Sequence, residues 1–237
     1  MAIIKTPGNY PKRIGEYVIY TSGGQTIIRS ISGFTTKDLK NSAKYKKCRE
    51  NANEFGKLSA MCKTIRVALQ PILPKNNNLA LVNSFTKKMR EVMTCDTISA
   101  KGMRMLQLGL TTTAGKALLE NYHFNPEIKY ALPVTLTTTV DLNTEAIKFP
   151  AYSQYIGACL HTLNSDWETN THKLTTAEKI VYKKDQVPAT ISLPLPEQQQ
   201  KGTVFTILEL EFYKKIKGNL VPMKNDSSKV VMILRVE

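Results

Sequence analysis

The stretch from Ser42 to Leu69 constrains the fold most, because its apolar residues recur at spacings of three and four. This spacing predicts one long helix with a single apolar face. Ser42 is expected to cap its start, and Pro71 is expected to end it, since residues before a proline avoid the α region. The apolar positions are Tyr45, Cys48, Ala52, Phe55, Leu58, Cys62, Ile65 and Leu69.

Basic residues fill the positions between the apolar ones, with Glu50 and Glu54 as the acidic residues of the same stretch. The cationic surface has two open interpretations, a solvated face or a contact with an anionic partner or nucleic acid. The candidate contact residues are Lys44, Lys46, Lys47, Arg49, Lys57, Lys63 and Arg66.

The net charge of +14 is unevenly distributed along the chain. Residues 1–124 hold 20 Lys and Arg against 7 Asp and Glu, a net charge of +13. Residues 125–237 hold 13 against 12, a net charge of +1. This asymmetry suggests that the first half faces nucleic acid, an acidic partner protein or an acidic surface.

Residues 12–31 predict a β-hairpin with its turn at 22–25, because glycine at 23 and 24 reaches positive φ without a Cβ clash. A lone hairpin is marginally stable in water, so it must pack on helices, extend a sheet or pair with a neighbouring molecule. For the last case, the candidate subunit-contact residues are Ile14, Tyr17, Ile19, Ile27 and Arg29.

Two further helical stretches follow. The first, 79–93, is expected to have Asn78 as its cap and an apolar stripe; the second, 99–121, is expected to break at Gly109 and the threonines 111–113. The stripe of the first comprises Leu79, Val82, Phe85, Met89 and Val92, and the face of the second comprises Met103, Leu106 and Leu110.

From Phe124 onward, β-branched residues and prolines replace the lysine-rich helical pattern. The predicted strands are 129–142, 155–163, 173–182, 189–193, 203–213 and 229–236, and the clean alternation in 203–213 predicts a half-buried strand. Several strands without intervening helices favour a sandwich. The predicted fold is therefore α+β, with an N-terminal β-hairpin and helical bundle (domain 1–124) followed by an antiparallel β-sandwich (domain 125–237).

The first half of the chain also resembles a known family. The residues that carry the resemblance are Ile14-Gly15 and Arg29 in the hairpin, the run Arg49-Glu50-Asn51-x-x-Glu54-Phe55-Gly56, and Lys63-x-x-Arg66. They are similar to uncharacterised proteins of Bacteroidetes-type bacteria that share this R-E-N-x-x-E-F-G helix motif. The resemblance implies that residues 1–124 act as a unit, and it implies no activity.

No catalytic or metal-binding motif is present in the sequence. There is no phosphate-binding glycine loop, no dinucleotide fingerprint, no H-E-x-x-H and no G-x-S-x-G. The four cysteines lack metal-site spacing and are expected to be reduced and mostly buried. We therefore expect a protein that is not an enzyme, with no catalytic residue, cofactor or metal.

The remaining expectation is a structural protein that assembles with copies of itself into a particle, tube or filament, of which a phage-derived, virion-like component is one form. The alternative is a sequence-nonspecific nucleic-acid-binding protein. No apolar run reaches the length of a membrane span, and the start lacks a signal-peptide hydrophobic region. We expect synthesis in the cytoplasm, with a virion or a released assembly left open as destinations.

Overall fold

The computed structural model describes residues 2–4, 8–31, 35–75, 78–125, 127–128, 132–196 and 202–237, without the side chains of Asn78 and Asp226. The chain divides into two compact units, Met1–Arg49 and Glu50–Glu237. The predicted α+β class is confirmed, with an N-terminal hairpin-containing sheet, helices and antiparallel sheets. The predicted separation of domains at 124 and 125 stays a prediction.

The first unit is built on a four-stranded antiparallel sheet. The predicted hairpin forms its centre, and Gly23 and Gly24 turn the chain with φ values of +57° and +76°. Strands are added on both sides of the hairpin, so that the order is β1-β4-β3-β2. The strands are β1 (Ala2–Ile4), β2 (Arg13–Ile14), β3 (Tyr17–Ser22) and β4 (Gln25–Ser30).

A short helix α1 (Thr36–Asn41) and a 3-10 turn (Ala43–Tyr45) lead into the long helix α2 (Lys46–Ala68). The long helix was expected from Ser42 onward, but Ser42 makes no capping bond with its side chain and precedes the 3-10 turn. The expected apolar face is buried only in its second part, at Leu58, Cys62, Ile65 and Leu69, whereas Phe55 is 50% exposed.

Three more helices complete the helical layer: α3 (Asn78–Thr94), α4 (Leu106–Thr111) and α5 (Thr113–Ala117). The expected break occurs among the threonines, at Thr112 between α4 and α5, but not at Gly109, which lies inside α4. This helix approaches α3 so closely that a Cβ at Gly109 would lie 2.2 Å from the carbonyl oxygen of Val92. Leu79 and Met103, expected on the apolar faces, are largely exposed.

Two antiparallel sheets follow. A seven-stranded sheet has the order β10-β8-β12-β14-β5, with β9 paired to β8 and β13 paired to β12, and a three-stranded sheet has the order β11-β7-β6. The strands are β5 (Tyr122–His123), β6 (Val134–Leu136), β7 (Thr139–Asn143), β8 (Tyr155–Asp166), β9 (Thr171–Thr176), β10 (Ile180–Lys183), β11 (Thr190–Pro194), β12 (Thr203–Ile216), β13 (Asn219–Pro222) and β14 (Lys229–Val236).

The seven-stranded sheet lies between two hydrophobic clusters. One face packs with the helices through Leu163, Phe205 and Ile207. The other face packs with the three-stranded sheet through residues such as Leu208 and Phe212. The expectation that β12 is half-buried is wrong, because residues 204–210 are all buried. Both faces of this strand are covered. Its side chains therefore alternate between two hydrophobic interiors, and not between an interior and water.

Candidate functional site

The predicted subunit-contact residues lie on opposite faces of the N-terminal sheet. Residues directly opposite each other in an antiparallel pair share a face. The pairs Ile14–Tyr17 and Ile19–Ile28 therefore form one face. Ile27 pairs with Tyr20, and Arg29 pairs with Val18, which puts Ile27 and Arg29 on the other face.

Exposure separates these residues further. Ile14 is 49% exposed and Tyr17 is 51% exposed, so both side chains can contact another molecule. Ile19 is 6% exposed and offers little side-chain surface. The guanidinium of Arg29 lies 5.8 Å from the ring centroid of Tyr20, a cation–π geometry. The role of all five residues in subunit contacts stays a prediction.

The predicted anion-contact residues also differ in accessibility. Lys44, Lys46, Lys47, Lys57 and Lys63 are exposed, whereas Arg49 and Arg66 are half-buried. Arg49 is engaged within the chain, since its Nη1 donates to the carbonyl oxygens of Leu39 and Ser42 at 2.9 and 2.8 Å. These bonds satisfy carbonyl groups at the end of α1. Arg49 is thus a structural residue of the first unit.

The R-E-N-x-x-E-F-G run contains a second structural contact. Glu54 is buried and its Oε1 accepts a bond of 2.6 Å from the backbone N–H of Gly102. The neighbouring Asn53 donates from Nδ2 to the Gly102 carbonyl oxygen at 2.7 Å. These two bonds hold the irregular segment before α4 against α2.

A buried polar cluster lies on the helix-facing side of the seven-stranded sheet. The strand register brings its members together, since Cys159 opposes Glu209 and Lys229 opposes Glu211. His161 belongs to the same face of β8 as Cys159 because it lies two residues further along the strand. Lys179 reaches the cluster from the connection between β9 and β10.

Glu209 is the centre of this cluster and is 3% exposed. Its Oε2 accepts a hydrogen bond of 3.0 Å from His161 Nε2, and its Oε1 lies 2.7 Å from Lys229 Nζ. The other imidazole nitrogen of His161 lies 3.0 Å from the hydroxyl of Thr176. Every polar group around this carboxylate therefore has a partner, as burial requires.

Glu211 and Tyr213 extend the cluster toward the edge of the sheet. Lys179 Nζ lies 2.9 Å from Glu211 Oε2 and donates to the Tyr213 hydroxyl at 3.1 Å. The same hydroxyl donates to Glu211 at 2.5 Å. Gly157 provides the space for this packing, because a Cβ there would lie 3.0 Å from the Tyr213 ring.

The environment changes the proton affinity of several members. Burial alone would raise the pKa of Glu209, but the hydrogen bonds from His161 and Lys229 and the two ammonium charges outweigh it and lower the pKa to about 2. Burial and the bond to Glu211 raise the pKa of Tyr213 to about 12. Burial and the nearby Glu209 carboxylate raise the pKa of Cys159 to about 11.

Cys159, His161 and Glu209 each offer one metal-ligand atom, and these atoms lie within 4.8 Å of one another. Metal binding requires a thiolate, whereas Cys159 keeps its proton and donates to the Ala177 carbonyl oxygen at 3.2 Å. Lys229 and Lys179 also place two positive charges beside the carboxylate. The cluster therefore fits an internal ion-pair network better than a metal site.

A cavity of about 450 Å³ borders the cluster. Glu211 and Lys229 form part of its wall, together with the loop 73–75, Asn125 and residues 221–225 and 228. This volume is within the range of small-molecule sites, roughly 300–1,000 Å³.

The sequence interpretation did not identify this cluster. Its signal was present in β8 and β12, where His161 and Glu209 interrupt long apolar runs that form the centre of strands. A charged residue inside such a run is almost never buried without a partner. The partners, Lys179 and Lys229, lie far away in sequence, so periodicity alone cannot connect them.

None of the described helices is long and apolar enough to cross a membrane. The resemblance of the first half to a bacterial family stays a prediction. No protein-family model matches the chain, and comparisons with curated proteins and with solved structures found no match.

Proposed function

We propose that this chain is a non-enzymatic structural subunit that assembles with copies of itself through its N-terminal sheet. The observation that carries the proposal is the poor burial of that sheet. Ile19 is the one buried side chain among the described residues of the first unit. A sheet of this size needs a covered hydrophobic face for independent stability.

Both faces of the sheet present apolar side chains. Ile14 and Tyr17 are exposed on one face, and Ile3 and Tyr20 are exposed on the other. Exposed apolar clusters of this kind mark interaction surfaces. The occupant that we propose for these faces is a second copy of the chain. A contact that joins unlike surfaces of identical subunits extends into rings or filaments.

Light scattering coupled to size-exclusion chromatography tests this proposal across a range of protein concentrations. We expect the wild-type protein to form large species. Ile14→Asp and Ile3→Asp each place a charge on one face of the sheet and should reduce the size of these species. Ile98→Asp is the matched control, since Ile98 is 84% exposed in the second unit.

Negative-stain microscopy of the same samples gives the shape of the assembly. Monomers alone at the highest concentration would contradict the proposal. Assembly that survives both sheet substitutions would show that the contact lies elsewhere.

The alternative function is sequence-independent binding of nucleic acid. Its supporting observation is the exposed group Lys44, Lys46 and Lys47, none of which forms an ion pair with another described residue. Lys44 Nζ lies 5.7 Å from the ring centroid of Tyr45, which adds an aromatic surface on which bases can stack.

Fluorescence anisotropy with a labelled DNA of random sequence tests the alternative. Binding should weaken as salt rises, and the triple change of Lys44, Lys46 and Lys47 to Glu should reduce the salt slope by about two to three. Lys173→Glu, an exposed change in β9, serves as the control. Absence of binding at low salt, or binding that salt does not weaken, rejects this function.

A further inference from the structure

The end of the seven-stranded sheet at which β10 and β12 finish is rich in lysine. The chain turns from β12 to β13 through Lys217 and Gly218, and residues 214–220 of this hairpin are all exposed. β10 ends two strands away, on the other side of β8. The lysines of this lysine-rich end are Lys183, Lys184, Lys214, Lys215 and Lys217. Residues 125–237 have a net charge of only +1, so the fold gathers at one end a positive charge that is balanced over this half of the chain as a whole.

Gln154 holds the segments of this end together. Its backbone carbonyl oxygen accepts a bond of 2.8 Å from the N–H of Lys184, and its own N–H donates to the carbonyl oxygen of Tyr213 at 2.9 Å. Its side-chain Oε1 accepts a bond of 2.7 Å from the N–H of Lys215. Lys184 and Lys215 are therefore tied to the same residue, and both line a cavity of about 510 Å³.

Most of the positive charge at this end is not neutralised. Lys183 pairs with Asp185 at 2.7 Å, and Asp185 is the one acidic residue that lines the cavity. Lys184 Nζ lies 5.3 Å from the ring centroid of Phe149, a cation–π contact that leaves its charge unpaired. Four of the lysines form no ion pair with another residue that the structure describes, namely Lys184, Lys214, Lys215 and Lys217.

Two tyrosines lie beside these lysines. Tyr155 lines the cavity and is half-buried, whereas Tyr152 is 90% exposed and precedes Ser153, another residue of the cavity wall. The φ of Tyr152 is +66°, which is uncommon for a residue other than glycine. The buried Ser153 secures this turn, because its N–H and its hydroxyl both donate to the carbonyl oxygen of Pro150, at 3.2 and 2.7 Å. The turn therefore presents the Tyr152 ring to solvent.

We propose that the lysine-rich end binds single-stranded nucleic acid without sequence preference, with phosphates at the four unpaired lysines and bases stacked on Tyr152. Lysines neutralise phosphates and release counterions, and an exposed aromatic ring can stack with any base. A duplex keeps its bases paired and stacked, so it cannot use the ring. This surface lies in the second unit, shares no residue with the group Lys44, Lys46 and Lys47, and does not rest on assembly through the N-terminal sheet.

Filter binding with a radiolabelled oligothymidylate of about 20 nucleotides tests the proposal. The full chain carries Lys44→Glu, Lys46→Glu and Lys47→Glu as the parent, so that the other basic group does not contribute. A filter retains protein of any size, so the readout does not depend on assembly. We expect a dissociation constant of about 10 µM, within the range of nonspecific complexes.

Lys184→Gln, Lys215→Gln and Lys217→Gln, combined in this parent, should weaken binding about tenfold or more. The salt slope should fall by about two, because each lost phosphate contact removes about 0.7 from the slope for a single strand. The backbone bonds of Gln154 remain in this variant.

The matched control removes the same charge from three exposed lysines elsewhere in the second unit and should leave the affinity unchanged. Its substitutions are Lys87→Gln, Lys101→Gln and Lys173→Gln. Tyr152→Ala should weaken binding about tenfold through the loss of stacking, whereas Tyr152→Phe keeps the ring and should bind like the parent.

Photo-cross-linking to an oligonucleotide that contains 5-iodouracil locates the contact directly. Tryptic digestion places Tyr152 and Tyr155 in one peptide, 149–173, and mass spectrometry should find the cross-link there, at Tyr152. This measurement is also independent of particle size.

Four results would overturn the proposal. They are no retention of the oligonucleotide at low salt, equal affinity for a duplex of the same length, cross-links only in other peptides, and a loss in the lysine control that matches the loss in the lysine-rich end. A chain that stays monomeric but passes these tests would reject the assembly and support the binding site.

Discussion

The N-terminal sheet and the seven-stranded sheet are both antiparallel and both rich in isoleucine, valine and tyrosine, yet they differ in what covers them. The seven-stranded sheet is packed by helices on one face and by a second sheet on the other. The described part of the N-terminal unit buries a single side chain, Ile19. Strand-forming residues therefore give a sheet, whereas layers packed on its faces give stability.

The largest expected effect comes from removing an aromatic ring in the covered sheet. Phe212 is fully buried and packs edge-on against Phe149 at a centroid distance of 5.4 Å. Phe212→Ala should lower the free energy of unfolding by about 3–5 kcal/mol, because it leaves a cavity. Urea denaturation followed by circular dichroism measures the loss.

Tyr17→Ala is the matching change in the N-terminal sheet and should cost about 1 kcal/mol or less in the separated subunit. Its effect should instead appear as a smaller assembly in light scattering. Similar losses of stability in the two variants would contradict the difference in burial between the two sheets.

An intermediate effect is expected from acid. The pKa of Glu209 is about 2 in the folded protein, whereas the ordinary value for a glutamate, expected in the unfolded chain, is 4.5. A carboxyl group whose pKa is lowered by folding stabilises the folded protein at pH values above its unfolded pKa. This contribution is lost as the pH falls from 4.5 toward 2. The contribution at neutral pH is on the order of 3 kcal/mol.

Glu209→Gln isolates this contribution from that of the other carboxylates. Its stability should lie well below that of the wild-type protein at neutral pH, and the two should converge in the acid range. Denaturation midpoints measured at several pH values give the difference. A constant difference across the range would show that the Glu209 charge is not what stabilises the sheet.

A smaller effect than that of Glu209, confined to one helix end, is expected at α1 in the first unit. Arg49→Ala removes the bonds to the carbonyl oxygens of Leu39 and Ser42 and should destabilise this helix end by about 1–3 kcal/mol locally. Hydrogen exchange of the α1 amides should accelerate while exchange in β12 stays the same. Lys46→Ala is the control, since Lys46 is an exposed residue of α2.

Local signals of the sequence were sufficient for the main elements. The glycines at 23 and 24 predicted the hairpin turn because positive φ is a property of the residue itself. The period of three and four predicted α2 because an amphipathic helix repeats at that interval. The alternation between 203 and 213 predicted a strand, and the structure has one.

What the sequence could not show depended on partners distant along the chain. The alternation in 203–213 indicated a strand with one solvent face, yet Glu209 is buried, and Lys179 and Lys229 neutralise both Glu209 and Glu211. Phe55 was expected on the buried face of α2 but is 50% exposed, because the layers that cover the later part of this helix do not cover it. Gly109 was interpreted as a helix break. Its actual role, to let α4 approach Val92 of α3 closely, is a tertiary contact that the local sequence does not show.

The position of β12 has a consequence for folding. Phe205 and Ile207 contribute to one interior and Leu208 and Phe212 contribute to the other, so a single strand is common to both. If one interior unfolds, it exposes one face of β12, and the other interior needs the same strand to stay in place. We therefore expect residues 50–237 to unfold in one cooperative transition, with the helices and the three-stranded sheet lost at the same denaturant concentration.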